Sequence, residues 1–210
     1  PVLMAADVLA YRAHEVPVGE DQREHLELMR DVAERVNRRF GEGLLVVPEA
    51  RIPQVGARIG DLQDPTRKMS TTAASDAGTV YVLDEPDAIL KKFRRAVTDS
   101  GNEIVHGGEG KQGVSNLLEI HAAVTGGSIE DSVAAFADAR GYGDLKTGVG
   151  EAVVARLAPV RERYQALRSD EDALEDVLAA GAEKARAIAS ATLADVREAM
   201  GVGPVRRPGS

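Results

Sequence analysis

The chain has 210 residues, 43% of them hydrophobic and 29% charged, a balance that suits one or two folded domains with a sizeable core. Acidic residues outnumber basic ones by 34 to 26, giving a net charge of −8, which excludes a broadly basic nucleic-acid-coating surface and leaves room only for a local basic patch. Cysteine is absent, so disulfides and thiolate metal sites are excluded, and no apolar run approaches the roughly 20 residues that span a bilayer. A reducing, cytoplasmic location is the expectation.

The chain opens at Pro1 inside the apolar run VLMAADVLAY. A natural start seldom exposes such a run, so the expectation is that the protein begins earlier. Residues 2–13 read as a helix or a strand–helix junction, and VPV (16–18) reads as a short strand ending at Gly19. Leu26, Met29, Val32, Val36 and Phe40 recur at helical spacing, and Gly41 and Gly43 supply the stop. LLVV (44–47) reads as a buried strand. Residues 48–78, rich in Pro, Gly, Ser and Thr, read as an extended loop region, which at that length is usually functional.

From TVYVL (79–83), which alternates briefly, the texture becomes helical. A helix starts around Asp84 and Pro86 and carries the basic cluster KKFRR (91–95). NLLEIHAAV (116–124) is helical, and SIEDSVAAFADA (128–139) opens with a Ser-x-x-Asp capping pattern. Two long helices follow over 147–168 and 170–200, the first with Pro159 as a point of interruption. The second shows an apolar stripe of Leu174, Val177, Leu178, Ala182, Ala185, Ala189, Leu193, Val196 and Met200.

Each candidate motif has a plain alternative. Asp7, among Leu3, Met4, Val8 and Leu9, reads as a buried carboxylate that needs a donor, because an unpaired one costs several kcal/mol. That donor is either a backbone amide or arginine, or a ligand. VGEDQ (18–22) places Gly19 where a strand gives way to a helix, a usual meeting point of nucleotide and α/β sheet. Its plain alternative is a turn with Asp21 facing the helix dipole. HGGEGKQG (106–113) is not a P-loop, since Val105 and Gln112 stand where Gly and Ser or Thr are required. His14, His25, His106 and His121 show no metal spacing. Lys91, Lys92, Arg94 and Arg95 are usually just a solvated helix face, but they are the best place here for a phosphate backbone to dock.

The segments LMAADVLAY, VPVGEDQREHLELMRDVAERVNRRFG, PQVGARIGDLQDPTRKMSTT, KKFRRAVTDS, GVSNLLEI, GYGDLK and GAEKARAIA, in that order, resemble the bacterial tryptophanyl-tRNA synthetase family from residue 1 to about 201. The resemblance implies an α/β fold, the second part of a class I Rossmann-type catalytic domain (1–78). An all-α anticodon-binding domain (79–203) and a disordered tail (204–210) would follow, mostly helical overall. It also implies the chemistry: tryptophan and ATP give tryptophanyl-adenylate and pyrophosphate, and the aminoacyl group passes to tRNA(Trp). ATP with Mg2+ is then the co-substrate, no protein-ligated metal is expected, and the full-length protein is expected to be a cytoplasmic homodimer.

By the same resemblance, Lys68, Met69, Ser70, Thr71 and Thr72 correspond to the family's K-M-S-K-S loop, with Lys68 and Ser70 catalytic. Gly19, Asp21, Gln22, Ile59, Lys68, Met69 and Ser70 fall at ATP-binding positions, Met4, Asp7 and Gln22 at tryptophan-binding positions, and Lys91, Lys92, Arg94 and Arg95 at a tRNA-binding one. The family aspartate accepts the indole N–H, which is a donor only. This chain departs from the pattern at Thr71, where the second lysine is missing; Arg67 lies just upstream. The H-I-G-H-type phosphate motif is also missing, so the chain is expected to hold half of an active site and to be inactive alone. Two alternatives stand: a catalytically impaired paralogue that binds tRNA or tryptophan for regulation, and a helical interaction protein in which 64–72 is an ordinary loop.

Overall fold

A computed structural model describes residues 1–52, 58–72 and 76–203. The expected tail and part of the PQVGARIG segment lie outside the described residues. Among the described residues are seven α-helices and one two-stranded sheet. The chain packs as two units, one of Pro1–Pro53 with Asp170–Ser210 and one of Gln54–Ser169. The packing therefore divides differently from the expected boundary at residue 78. Residues 58–72 and 76–78 pack with the helices that follow them, and the last helix packs with the opening segment.

The first unit is built around a crossover. Helix α1 (Val2–Ala10) leads into β1 (Glu15–Pro17). Helix α2 (Arg23–Phe40) then carries the chain back to β2 (Glu49–Arg51). The strands pair in parallel, Val16 opposite Ala50, and a parallel pair demands a long connection of this kind. Leu26, Met29 and Ala33 are the fully buried face of α2, spaced three and four apart. The expected stripe through Val32 is rotated by one residue, leaving Val32 exposed.

The expected strand at 44–47 does not form. The side chain of Asn37 takes both backbone groups of Leu45, accepting from its N–H at 2.8 Å and donating to its carbonyl at 2.8 Å. With its ladder groups occupied, Leu45 buries its side chain beside Leu9 and Ala33 without a partner strand, and pairing begins at Glu49. Helix α7 (Glu171–Met200) packs Val196 onto that same cluster. Its expected stripe is only partly covered, since Val177, Leu178 and Leu193 are exposed.

The second unit has the larger core. Helix α3 (Pro86–Arg94) starts with Pro86 in its first turn, after Glu85. Helices α4 (Gln112–Thr125), α5 (Ile129–Ala135) and α6 (Tyr142–Arg168) follow. Ile89, Phe93, Val114, Leu117, Leu118, Leu145 and Val149 form one cluster. Ser128 caps α5 reciprocally with Asp131, as its pattern predicts: Asp131 N–H donates to Ser128 Oγ at 3.0 Å and Ser128 N–H to Asp131 Oδ2 at 2.9 Å. TVYVL is not a strand; its end turns, exposing Val82 and Leu83. Pro159 lies within α6, which runs on through it.

His121 of α4 meets the ring of Phe136 edge-on at 5.0 Å between centroids and bonds Ser132 Oγ at 2.9 Å. Ser132 Oγ donates to the carbonyl of Ser128 at 3.1 Å, so the imidazole Nδ1–H is the donor in its pair. Burial holds the His121 pKa below its ordinary 6.5. The unfolded chain therefore binds a proton more readily than the native one. Native stability should be full above pH 6.5 and fall as pH drops below it through the lowered native value. Urea unfolding across pH 7.5 to 5 checks this, and His121→Gln should flatten that part of the profile.

Candidate functional site

In the first unit, the residues assigned by resemblance to tryptophan and the ribose lie on α1 and on the turn before α2. Helix α1 buries Ala5 and Leu9. Asp7, two residues from each, falls on the opposite side of the helix and is exposed. The expectation of a carboxylate buried among apolar neighbours is thus corrected: its neighbours in sequence are not its neighbours in space. Met4 is half-buried against the Leu26–Met29 cluster. Gly19 ends β1's extension in extended conformation and precedes a 3-10 turn over Glu20–Gln22. Gln22 is half-buried; its amide donates to Asp21 at 3.0 Å and its carbonyl oxygen faces His25 Nδ1 at 2.9 Å. Asp21 is exposed at the rim. Glu20 and Arg23 pair at 2.6 Å; the bond to Arg23 holds the Glu20 carboxyl below its usual range.

In the second unit, residues 58–69 form a short antiparallel hairpin rather than an open loop. Gly60 bridges Lys68. On either side, Asp61 N–H donates to the Arg67 carbonyl at 2.8 Å and Met69 N–H to the Ile59 carbonyl at 2.9 Å. Ile59 and Met69, both assigned to the adenine by resemblance, are therefore direct backbone partners. The turn is shaped by two aspartates. Asp61 Oδ1 accepts from the N–H groups of Gln63 and Asp64, and Asp64 Oδ1 accepts from the hydroxyl of Thr66 at 2.6 Å. Arg67, Lys68, Thr71 and Thr72 are exposed. Ser70 Oγ and Thr72 Oγ1 share a hydrogen bond of 3.0 Å.

Both stems of this segment are anchored by side chains that the sequence reading did not assign to the site. Asn116 of α4 is buried, and its amide grips Gly60, accepting from its N–H at 2.7 Å and donating to its carbonyl at 3.0 Å. Gly60 leaves no room for a side chain: an added Cβ would lie 2.8 Å from the Pro65 carbonyl and 3.0 Å from Asn116 Oδ1. At Gly78 an added Cβ would collide with the Asp61 carboxylate. Thr79 Oγ1 donates to the Ser70 carbonyl at 3.0 Å. One signal for Asn116 was legible, an amide on the helical face it shares with Leu117 and Ile120.

Lys92 requires a correction. It is 8% exposed and not a docking residue for RNA. Its ammonium donates to Asp84 at 2.8 Å, to the Thr79 carbonyl at 2.8 Å and to Asp76 at 3.3 Å, and it lies 5.0 Å from the centre of the Tyr81 ring. Burial disfavours its charge, but the bonds to Asp84 and Asp76 outweigh this and hold its pKa above the ordinary lysine value. Asp84, expected near the helix cap, accepts instead from Lys92 and from Tyr81 N–H. Lys91, Arg94 and Arg95 remain exposed.

An open cavity of about 530 Å³ lies beside the hairpin, lined by Arg58, Thr66, His106, Gln112, Ser115 and Glu119 among others. HGGEGKQG forms part of its wall, where Gly107 N–H donates to Ser115 Oγ at 2.8 Å. Among the described residues no group of three or more His, Asp and Glu is placed to hold a metal ion, and no helix is long and apolar enough to cross a membrane.

The family of class I tRNA synthetases (W and Y) matches residues 1–158. The chain belongs to this family. Among relatives of the W/Y synthetases, the tryptophan–tRNA ligase of Mycobacterium leprae is 50% identical over 206 residues, covering 98% of this chain and 60% of the relative. Tryptophan–tRNA ligase 1 of Streptomyces coelicolor is also 50% identical, covering 97% of this chain and 60% of its own length. The chain thus spans about 60% of the curated relatives it matches. Among solved structures, tryptophanyl-tRNA synthetase from Mycoplasma pneumoniae superposes with a TM-score of 0.85 at 35% identity, covering 97% of this chain and 63% of that one. The Campylobacter jejuni enzyme, complexed with ADP and tryptophan, gives a TM-score of 0.65 at 31% identity over 96% of this chain and 61% of that one.

Because one partner of Lys92, Asp76, is largely hydrated while Asp84 is not, removing the cation leaves the partly buried Asp84 carboxylate without its counter-charge. Lys92→Met should cost about 3 kcal/mol in denaturant unfolding, whereas Lys91→Met should change stability by less than about 0.5 kcal/mol.

Proposed function

We propose that this chain carries the signature hairpin and the helical part of a tryptophan–tRNA ligase, with the activity belonging to the full-length protein. The observation that carries the reading is the hairpin. It presents Lys68 exposed beside Met69 and Ser70, on two anchored stems, within a chain whose relatives at 50% identity are tryptophan–tRNA ligases.

The chemistry suits that arrangement. When the tryptophan carboxylate attacks the α-phosphate of ATP, a new carboxyl–phosphate bond forms and the bond to pyrophosphate breaks. Negative charge builds on the departing pyrophosphate. An ammonium brought to that oxygen stabilises the transition state more than the ground state. Lys68 holds this role, Ser70 and the backbone near Met69 and Ile59 meet the nucleotide, and Gly19, Asp21 and Gln22 meet its ribose and the polar end of the amino acid. Mg2+ arrives with ATP as its counter-ion. The aminoacyl group then passes to the 3′ adenosine of tRNA(Trp), whose stem meets Lys91, Arg94 and Arg95. On this reading residues 1–78 serve catalysis and 79–203 the anticodon, in a cytoplasmic homodimer.

Asp7 is assigned to the indole N–H and Met4 to the ring. An exposed carboxylate is hydrated in the absence of ligand, so it discriminates only where the bound ring excludes that water. Phenylalanine then leaves the carboxylate desolvated and unpaired, a penalty that supports strong rejection.

Tryptophan-dependent ATP–pyrophosphate exchange tests the proposal. The full-length protein should be active and this chain alone inactive. Lys68→Ala in the full-length protein should lower kcat by about 100-fold; an unchanged rate would remove Lys68 from catalysis, and normal exchange by this chain alone would overturn the division of the active site. Asp7→Ala in the full-length protein should raise KM for tryptophan and narrow the preference over phenylalanine by at least about tenfold. Unchanged selectivity would assign the indole to another residue.

A further inference from the structure

We propose that Asn116 and Lys92 are positioning residues that together set where the Lys68–Thr72 segment sits, Asn116 by gripping the incoming stem at Gly60 and Lys92 by gripping the outgoing stem at Asp76 and Thr79. The proposal deepens the ligase reading above and rests on it for its catalytic consequence.

The geometry carries the assignment on both sides of the segment. On the incoming side, the Asn116 amide closes a two-bond ring with the backbone of Gly60, directly opposite Lys68 in the hairpin bridge. A shift of Gly60 therefore shifts Lys68. On the outgoing side, the Lys92 ammonium holds the Thr79 carbonyl and the Asp76 carboxylate, and the Thr79 hydroxyl in turn holds the Ser70 carbonyl. A shift of Thr79 therefore shifts Ser70. Between the stems, Leu62 links both: its N–H donates to the Gly78 carbonyl at 2.9 Å, and its own carbonyl accepts from Val97 at 2.7 Å.

Both anchors are buried polar side chains, Asn116 at 7% exposure beside the apolar face of α4 and Lys92 at 8% among Asp76, Thr79, Asp84 and Tyr81. Apolar residues of similar size would fill the same volume, so packing alone does not require a polar group at either site. What these groups supply is direction: a planar amide has one way to satisfy both Gly60 groups, and an ammonium with three donors has three acceptors around it. The anchors leave the intervening Lys68, Thr71 and Thr72 exposed. The arrangement fixes both ends of the segment.

Two measurements test this. Hydrogen exchange of this chain should show Asn116→Leu accelerating peptides that cover residues 58–72 by at least about tenfold beyond any acceleration of α6 peptides, and Lys92→Met doing the same for peptides covering 67–72 and 76–80. Lys92→Arg should restore protection. Asn116→Asp, which keeps the size and one of the two bonds, decides the first arm where Asn116→Leu does not fold, and should give intermediate protection. Unchanged protection in 58–72, or acceleration equal to that in α6, overturns the proposal; the second result would make both residues supports of the core and nothing more. In the full-length protein, pyrophosphate exchange by the same variants should show kcat lowered by about 10- to 100-fold with KM for tryptophan within about threefold, since the loop acts on the transition state and not on amino-acid binding. Equal losses in both parameters, or none, overturn the catalytic consequence. If the unsubstituted full-length protein shows no tryptophan-dependent exchange, the ligase reading fails, and hydrogen exchange still decides the clamp.

Discussion

A loop that folds against a core must give every backbone N–H and C=O it buries a partner. The hairpin at 58–69 meets that demand from the side chain of a helix 56 residues along the chain, where Asn116 takes both groups of Gly60. Much in the second unit follows from this contact. It requires glycine at 60, because any larger residue would press on Asn116 and on the Pro65 carbonyl. It requires an amide inside the apolar face of α4. It also places the bridge to Lys68 at a height fixed by α4 rather than by the loop's own sequence.

The same demand explains the division of charge on α3. Four basic residues within five positions look like one patch, yet the helix turns Lys92 inward with Phe93 and leaves Lys91, Arg94 and Arg95 outside. A buried lysine is tolerated only with partners. Lys92 has two carboxylates and a carbonyl, and its first bond, to Asp84, reaches the residue that precedes the helix by two positions. The inward lysine is thus part of the architecture of the loop's exit, and the outward residues retain the hydration that contact with a phosphate backbone requires. On the proposed reading both roles share one short helix, so a load on its outer face would act on the element that carries the inner anchor.

What the sequence made legible follows the reach of each signal. Local periodicity located α2 and α7, and the Ser128–Asp131 pattern located the start of α5, because those features depend on residues within a turn or two. The order of segments identified the family. The failures have two causes: a partner beyond the local turn, and a helical turn that separates neighbours in sequence. LLVV has strand composition, but Asn37 occupies the backbone of Leu45. Asp7 sits among apolar residues in sequence, but a helix sends alternate neighbours to opposite sides. Lys92 looked solvated because Asp76, Thr79 and Asp84 are brought to it only by the fold. Residues 58–72 looked structureless because the side chains that anchor them belong to α3 and α4 or are held by them.

The missing second lysine can be weighed against this geometry. A loop that stabilised pyrophosphate with two ammonium groups would need each to reach the same oxygens, and hence a precise loop position. On the ligase reading, threonine at 71 leaves Lys68 and the exposed Arg67 as the cations of the segment, while Ser70 and Thr72 share a hydrogen bond and supply neutral donors. Electrostatic stabilisation by one cation depends steeply on its distance from the developing charge, so losing the second raises the demand on placement of the first. A chain that gives up a lysine at 71 therefore relies more heavily on whatever fixes the height of residue 68. In this fold that is the bridge to Gly60 and the amide of Asn116 behind it.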